Sequence, residues 1–196
     1  MFILKKVYCR IFQKIFRIAL PLLPYREPEI LESIELIPET VKKNGCKKPI
    51  IVTDKGIVNL GLIDSLVEAL KKSEIPFAIY DETVPNPTTD NVAKAYDLYK
   101  KENCDCLIAF GGGSSMDCAK ALGVQIVYPK KTLGQLKGIL KVHKKLPLLI
   151  AIPTTAGTGS ETTLAAIITD SKTRHKYAIN SFPLIPHYAD LDAKVT

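Results

Sequence analysis

The feature that most constrains the fold is a run of three glycines placed between a predicted strand and a predicted helix. Residues 110–117 (FGGGSSMD) directly follow an apolar run at 106–110 and directly precede a helical pattern. Consecutive glycines let the backbone approach a ligand closely and adopt angles that other residues avoid. The helix that follows presents unpaired amides and the positive end of its dipole, a geometry suited to phosphate. The segment predicts a phosphate or pyrophosphate site, with a structural tight turn as the alternative.

The glycine turn differs from the two common phosphate-binding motifs. It is not GxGxxG, because the third glycine is missing, and the chain contains no GxxxxGK followed by Ser or Thr. Ser114 and Asp117 have the spacing of a capping box, which marks the start of the helix. The prediction of an anion site therefore depends on the strand–turn–helix context and not on either motif.

Short apolar runs alternate with amphipathic stretches along most of the chain. Strands are predicted at 49–53, 77–80, 106–110 and 148–152, and helices at 62–72, at 89–102 and after Gly113. This alternation is typical of an α/β protein with a parallel sheet covered by helices on both faces. Towards the C-terminus, the β-branched run 161–169, the polar turn 171–174 and the strand-like segment 176–179 predict a β-hairpin.

A second polar loop follows the strand predicted at 148–152. Residues 153–161 (PTTAGTGSE) place four hydroxyl side chains and two glycines after a proline. Such a loop offers hydroxyl and backbone donors to an anionic or ribose-bearing ligand. The alternative is an ordinary hydroxyl-rich turn. Ser160 does not stand in a GxSxG motif and is not predicted to be a nucleophile.

Asp54 ends the first predicted strand. A carboxylate at this position accepts hydrogen bonds from ribose hydroxyls and repels a 2′-phosphate, which favours NAD over NADP. The alternative is a turn residue that precedes Gly56. Asp54 is therefore a candidate for the choice between the two dinucleotides.

The net charge of +7 arises from two segments that are basic and contain no acidic residue. Residues 1–26 carry six basic side chains and no acidic one, and residues 118–160 carry seven and none. The rest of the chain is net acidic, so the basic charge does not coat the molecule. No zinc-finger or RNA-binding signature accompanies it, and we expect no nucleic-acid partner. Residues 130–145 are expected to be a solvated helix and loop, with attraction of a dinucleotide or an acidic partner as the alternative.

Residues 1–26 form a basic, amphipathic N-terminal arm. Four basic side chains recur at helical spacing: Lys6, Arg10, Lys14 and Arg17. Charges interleave with apolar residues, unlike a signal peptide, and no run of 18 apolar residues exists for a membrane-spanning helix. We expect the arm to pack on the protein's own body or on a partner subunit. A helix at a membrane surface is the alternative.

The cysteines and histidines show no metal-binding or disulfide pattern. Five cysteines are an odd number, and the Cys104-Asp105-Cys106 segment is neither a CxxC redox pair nor a zinc knuckle. We expect idle or buried thiols in a reducing cytoplasm. The three histidines (His143, His175 and His187) have no HxxxH or DxxxH spacing and are expected to lie on the surface or in loops.

With both loops placed, the chain resembles the iron-containing (group III) alcohol dehydrogenases over residues 27–196. The segment GGGSSMDCAK at 111–120 is similar to the family's pyrophosphate-binding motif, and PTTAGTGSE at 153–161 is similar to its second signature. PNPT at 85–88 and the Asp190-Leu191-Asp192 stretch also match the family pattern. The resemblance implies a Rossmann-like dinucleotide-binding domain at 27–196.

The resemblance also implies which residues contact the cofactor. Those at 111–114 would face the pyrophosphate, and Thr154, Thr155 and Thr158 would surround the phosphates and the nicotinamide side. Lys176 would lie near the ribose, and Asp54 would favour NAD over NADP. The full set of implied cofactor-binding residues is Asp54, Gly111, Gly112, Gly113, Ser114, Asp117, Thr154, Thr155, Thr158, Thr163 and Lys176.

The resemblance implies a metal that this chain is not expected to hold. The family binds iron or zinc through an Asp and three His in a C-terminal all-helical domain, which we expect to be absent here. No catalytic or metal-ligating residue is assigned in this chain. We expect a cytoplasmic, NAD-dependent alcohol dehydrogenase that interconverts primary alcohols and aldehydes. At full length it is expected to be a homo-oligomer, and this part of it is expected to be inactive alone. A free-standing nucleotide-binding module is the alternative.

Overall fold

The computed structural model describes residues 2–19, 24–193 and 195. In chain order, its strands are β1 (Glu29–Leu31), β2 (Pro49–Val52), β3 (Ala78–Tyr80), β4 (Cys106–Gly111), β5 (Gly138–Ile139), β6 (Leu149–Pro153), β7 (Ala165–Thr169), β8 (Lys176–Asn180) and β9 (Tyr188–Asp190). Six of them form one sheet in the order β1-β9-β6-β4-β2-β3, and every pair in it is parallel. The predicted α/β fold with a Rossmann-like parallel sheet is confirmed.

The helices are α1 (Phe2–Ala19), α2 (Ile37–Lys43), α3 (Lys55–Asn59), α4 (Asp64–Lys72), α5 (Thr89–Lys101) and α6 (Gly113–Val127). Successive side chains of a strand point to opposite faces of a sheet, and β4 is buried throughout. Ile108 and Phe110 therefore enter a core shared with α2 and α4. Leu107 and Ala109 enter a second core shared with α5 and α6. The sheet is covered on both faces, as the apolar runs predict.

The predicted hairpin is present as β7 and β8. These strands pair antiparallel from Ala165↔Asn180 to Thr169↔Lys176, and β5 joins β8 to complete a separate three-stranded sheet. The hairpin packs against α6 through Ala166, Ile168 and Ile179, which are fully buried. Helix α6 therefore contacts the main sheet and the small sheet together.

The predicted start of α6 is wrong. Its N-cap is Gly112, no side chain caps it, and the helix begins at Gly113, immediately after β4. Ser114 and Asp117 therefore do not form a capping box. The Ser114 hydroxyl instead accepts a hydrogen bond from the amide of Asn86, at 3.3 Å. The N-cap lies two residues earlier than Ser114, the position that the side-chain spacing indicates, and the first turn of the helix has no side-chain cap.

His187 lies in the loop that precedes β9, one of the two locations predicted for the histidines. It is half-buried, and its Nδ1 accepts a hydrogen bond from the amide of Leu149 at 3.1 Å. Its own amide donates to the Leu149 carbonyl, and its carbonyl accepts from Glu29. Burial lowers the pKa of His187 to about 4, and the charges of Arg26 and Lys145 act in the same direction. His187 thus links β6 to β1, the edge strand of the sheet, through its neutral ring and its backbone.

The described side chains of helix α1 do not pack on the body of the protein, which was one of the two places expected for the arm. Among its residues whose side chains are described, 6–11, 13–15, 17 and 18, all are exposed. Arg26, which falls at the end of the predicted arm, donates a hydrogen bond to the carbonyl of Ile185 and so belongs with the body. No helix in the described residues has the length and apolar content needed to cross a membrane.

Candidate functional site

A cavity of about 940 Å³ lies at the carboxyl ends of β2, β4 and β6. This edge is where open parallel sheets bind their ligands. The volume falls in the range typical of small-molecule and cofactor sites. Its lining residues are Asp54, Lys55, Gly56, Ile57, Asp81, Glu82, Thr83, Val84, Pro85, Asn91, Lys94, Gly112, Gly113, Ser114, Ser115, Thr154, Thr155 and Thr158.

The glycine turn is built so that no side chain larger than hydrogen fits at its first position. Gly111 ends β4 with φ +139°, a conformation that residues with a side chain rarely adopt. A Cβ on Gly111 would come within 2.7 Å of the Ser115 hydroxyl oxygen. Ser115 itself is buried, and its hydroxyl has no hydrogen-bond partner among the described residues. The turn therefore holds an unpaired hydroxyl at the cavity wall.

The two predicted loops lie in contact. β4 and β6 pair in parallel with Gly111 opposite Pro153, and the Thr154 amide donates to the Gly111 carbonyl at 3.0 Å. A Cβ on Gly112 would lie 3.4 Å from the Thr155 hydroxyl oxygen. That distance is an ordinary van der Waals contact, so the hydroxyl-rich loop lies against the start of α6, and the two loops together form one wall of the cavity.

Asp54 caps a helix that contains Gly56, where the alternative interpretation placed a turn, and it also lines the cavity. It is the N-cap of α3, and its Oδ1 accepts the Ile57 amide at 3.1 Å. Its Oδ2 lies 3.7 Å from the position of a Cβ on Gly111. One carboxylate oxygen is thus used in the helix cap, and the other lies beside the glycine turn.

Lys176 contacts Asn86, the neighbour of the cavity residue Pro85. It is not among the lining residues, and its ammonium donates to the Asn86 side-chain oxygen at 2.6 Å. Asn86 belongs to the PNPT segment and its amide contacts Ser114, as described above. Lys176 therefore reaches the predicted site through one intervening residue.

Asp117 and Thr163 are not among the residues that line the cavity. Asp117 is half-buried on α6 and accepts a hydrogen bond from the backbone of Ile167 in β7. Burial raises its pKa to about 6, although that hydrogen bond and the charges of Lys120 and Lys176 act in the opposite direction. Asp117 thus joins α6 to the hairpin.

Sequence reasoning missed Lys120, the residue that fixes the second loop. It is fully buried, and its ammonium lies 2.7, 2.6 and 3.0 Å from the carbonyl oxygens of Ser160, Thr163 and Ala165. It also lies 3.0 Å from the Thr163 hydroxyl. Burial lowers the pKa of Lys120 to about 8, while Asp117 and Glu161 raise it. A lysine inside the otherwise apolar run 118–124 is the sequence signal that would have identified it.

A parallel sheet covered by helices, with a glycine turn and a hydroxyl-rich loop at the carboxyl ends of its strands, defines a Rossmann-like domain. The chain belongs to the iron-containing alcohol dehydrogenase family, which matches residues 31–193. This match confirms the resemblance found from the two loop motifs.

Individual relatives agree with the family match. Alcohol dehydrogenase 4 of Schizosaccharomyces pombe is 44% identical over 135 residues, which are 69% of this chain and 32% of that protein. The solved structure of the alcohol dehydrogenase from Oenococcus oeni has a TM-score of 0.82 and 37% identity, covering 88% of this chain and 46% of that one. Sulfoacetaldehyde reductase from Bifidobacterium kashiwanohense, solved in complex with NAD+, has a TM-score of 0.75 and 28% identity, covering 89% and 47%.

The chain spans less than half the length of the curated relatives it matches. The cavity residues described here do not fit the family's metal. In the described part of the chain, three candidate ligand atoms come within 4.8 Å of one another at Cys46, Asp105 and Cys106. That cluster lies at the amino ends of the parallel strands and the cavity lies at their carboxyl ends, because Cys106 is the first residue of β4 and Gly111 is its last. Both Asp105 oxygens already accept amides, from Lys47 and Lys48.

Replacing Lys120 with methionine should loosen the second loop. The change leaves the carbonyl groups of Ser160, Thr163 and Ala165 without this donor, so we expect the free energy of unfolding to fall by about 2 kcal/mol. Amide hydrogen exchange should accelerate most at residues 158–165. Lys101→Met, a change of the same type at an exposed position on α5, serves as the control and should leave both measurements unchanged. Equal effects of the two variants would contradict the role assigned to Lys120.

Proposed function

We propose that the cavity binds NAD(H), with the pyrophosphate over the turn at 111–114 and the rest of the dinucleotide along the loop at 153–158. The observation that carries the proposal is the uncapped start of α6, which opens into a cavity also lined by Thr154, Thr155 and Thr158. Amides of a helix's first turn lack partners within the helix, and the helix dipole favours an anion there. A pyrophosphate satisfies both requirements.

The buried Ser115 hydroxyl supports a ligand at this place. A buried polar group without a partner costs free energy, so such groups in native proteins call for an explanation. Ser115 lines the cavity next to the glycine turn, where an oxygen of a bound phosphate would accept its hydrogen bond. The donor set of the cavity therefore fits the pyrophosphate of a dinucleotide.

Asp54 supports NAD over NADP. Its Oδ1 is engaged in the cap of α3, and its carboxylate lies at the cavity wall, where it would accept ribose hydroxyls and repel a 2′-phosphate. Lys176 would approach the ribose after leaving Asn86. Asp117 and Thr163 would support the site by holding α6 and the second loop, since they do not line the cavity themselves.

We propose that the full-length protein transfers hydride between NAD(H) and a primary alcohol or aldehyde. The nicotinamide supplies the hydride, and this chain's residues bind and orient the dinucleotide. The names of the relatives support the reaction class, and the NAD+ complex of the Bifidobacterium reductase supports the cofactor. The described cavity offers no metal site, so we expect the 196-residue chain to bind cofactor without turning over an alcohol. Five free cysteines fit a reducing cytoplasm.

Titration of NADH against the chain, followed by nicotinamide fluorescence, tests the proposal together with Ser115→Ala. Because the Ser115 hydroxyl has no partner in the described residues, we expect the variant to unfold at the same or slightly higher denaturant concentration. Loss of one hydrogen bond to phosphate should nevertheless raise the Kd for NADH about five- to tenfold. Absence of NADH binding by the parent chain would contradict the proposal, and so would an unchanged Kd in the variant. Alcohol oxidation by the isolated chain would contradict the proposal that this chain binds the cofactor without turning over an alcohol.

Asp54→Asn should relax the preference for NADH. The asparagine oxygen still accepts the Ile57 amide, so the cap of α3 is kept while the negative charge is removed. We expect the ratio of the NADPH Kd to the NADH Kd to fall several-fold, with little change in stability. Asp64→Asn, which removes a carboxylate on α4 outside the cavity lining, is the matched control and should not change the ratio. A ratio that is the same in all three proteins would show that Asp54 does not select the dinucleotide.

A further inference from the structure

Helix α1 presents an apolar stripe to solvent. Val7, Ile11, Ile15 and Ile18 recur at steps of four, four and three residues, and each is between 51% and 77% exposed. Residues at this spacing share one face of a helix. Exposure of four large aliphatic side chains on one face costs free energy, and such a patch on a soluble protein marks a surface that contacts a partner or a membrane.

A basic stripe runs beside the apolar one. Lys6, Arg10, Lys14 and Arg17 each precede one of the apolar residues by one position, and all four are exposed. One residue corresponds to about 100° around an α-helix, so the two stripes are neighbours and do not lie on opposite sides. The first acidic residue of the sequence is Glu27, so the helix contains no carboxylate to neutralise its cations.

The apolar and basic stripes together exclude two possible contacts of this surface, the protein's own body and a second copy of α1. The protein's own body does not cover the stripe, because the described side chains of α1 are exposed. An antiparallel second copy of α1 would place the two basic stripes on the same side of the pair with no acidic residue in either helix, and like charges in contact repel. A coiled coil between two copies would need apolar residues at alternating steps of four and three, which are positions 7, 11, 14 and 18 of α1. Position 14 is Lys14 and not an apolar residue.

We propose that α1 lies on an anionic lipid surface and holds the nucleotide-binding body there. A helix in the plane of the membrane interface places its apolar side chains at the acyl boundary and its neighbouring lysines and arginines among the headgroups, and so satisfies both stripes together. At 18 residues, α1 is about 27 Å long and runs along the surface. Anionic headgroups supply the negative charge that the helix lacks.

Flotation of the full 196-residue chain with lipid vesicles tests this proposal. One set of vesicles is phosphatidylcholine alone, and the other contains phosphatidylglycerol at about 30%, each in about 0.05 M and about 0.5 M salt. We expect the chain to float with the anionic vesicles at low salt, to bind much more weakly at high salt, and to remain unbound with neutral vesicles. Binding of similar strength to both lipids, or to neither, would overturn the proposal.

Two double variants separate the stripes. Arg10→Gln with Lys14→Gln should lower the binding constant for anionic vesicles about 25-fold, since each basic side chain near such a surface contributes about fivefold. Ile11→Asp with Ile15→Asp should abolish flotation. Neither pair touches the cavity, so the Kd for NADH and the unfolding curve should match those of the parent chain and show that both variants are folded.

The second basic segment supplies the control. Lys130 and Lys131 are exposed and lie outside α1, so Lys130→Gln with Lys131→Gln should keep vesicle binding within about twofold of the parent. If this control loses binding as strongly as the α1 variants do, the charge of the whole molecule and not α1 is responsible, and the proposal fails. It also fails if Ile11→Asp with Ile15→Asp dissociates a lipid-free oligomer and leaves vesicle binding unchanged, because a protein partner then covers the stripe.

Discussion

The parallel pairing of β4 with β6 is the constraint on which the rest of the site depends. It sets Gly111 opposite Pro153, so the glycine turn and the hydroxyl-rich loop leave the sheet side by side. The hydrogen bond from the Thr154 amide to the Gly111 carbonyl joins them at their first residues. A shift of this register would separate the start of α6 from the threonine hydroxyls, and the cavity would lose the wall in which its donors converge.

Lys120 fixes the far end of the same arrangement. Its ammonium reaches three carbonyl oxygens of the second loop from within α6, the helix whose start forms the glycine turn. Asp117, one turn away on that helix, contacts the backbone of β7. The helix thus presents its first turn to the proposed pyrophosphate and uses its next turn to hold the loop and the hairpin. Burying a lysine is costly, and the carbonyl oxygens around Lys120 offset that cost.

The sequence predicts the central strands because each carries its own apolar run. It predicts the candidate site because glycines and hydroxyl residues directly follow two of those runs. It does not predict β1 and β9, because strands of three residues gain their stability from partners far along the chain and not from local pattern. It misses α3, whose short helix contains Gly56 and depends on the Asp54 cap. The resemblance implies that Asp117 and Thr163 contact the cofactor, but only the fold shows that neither lines the cavity.

The central claim is that a dinucleotide phosphate sits on the open first turn of α6. Amide hydrogen exchange measured with and without saturating NAD+ tests it most directly, because a bound pyrophosphate must protect the amides that hold it. The account predicts new protection at residues 112–115 and 154–158, with little change at the opposite edge of the sheet around Cys46 and Cys106. Binding of NAD+ that leaves the first turn of α6 unprotected, or that protects another surface, would contradict it.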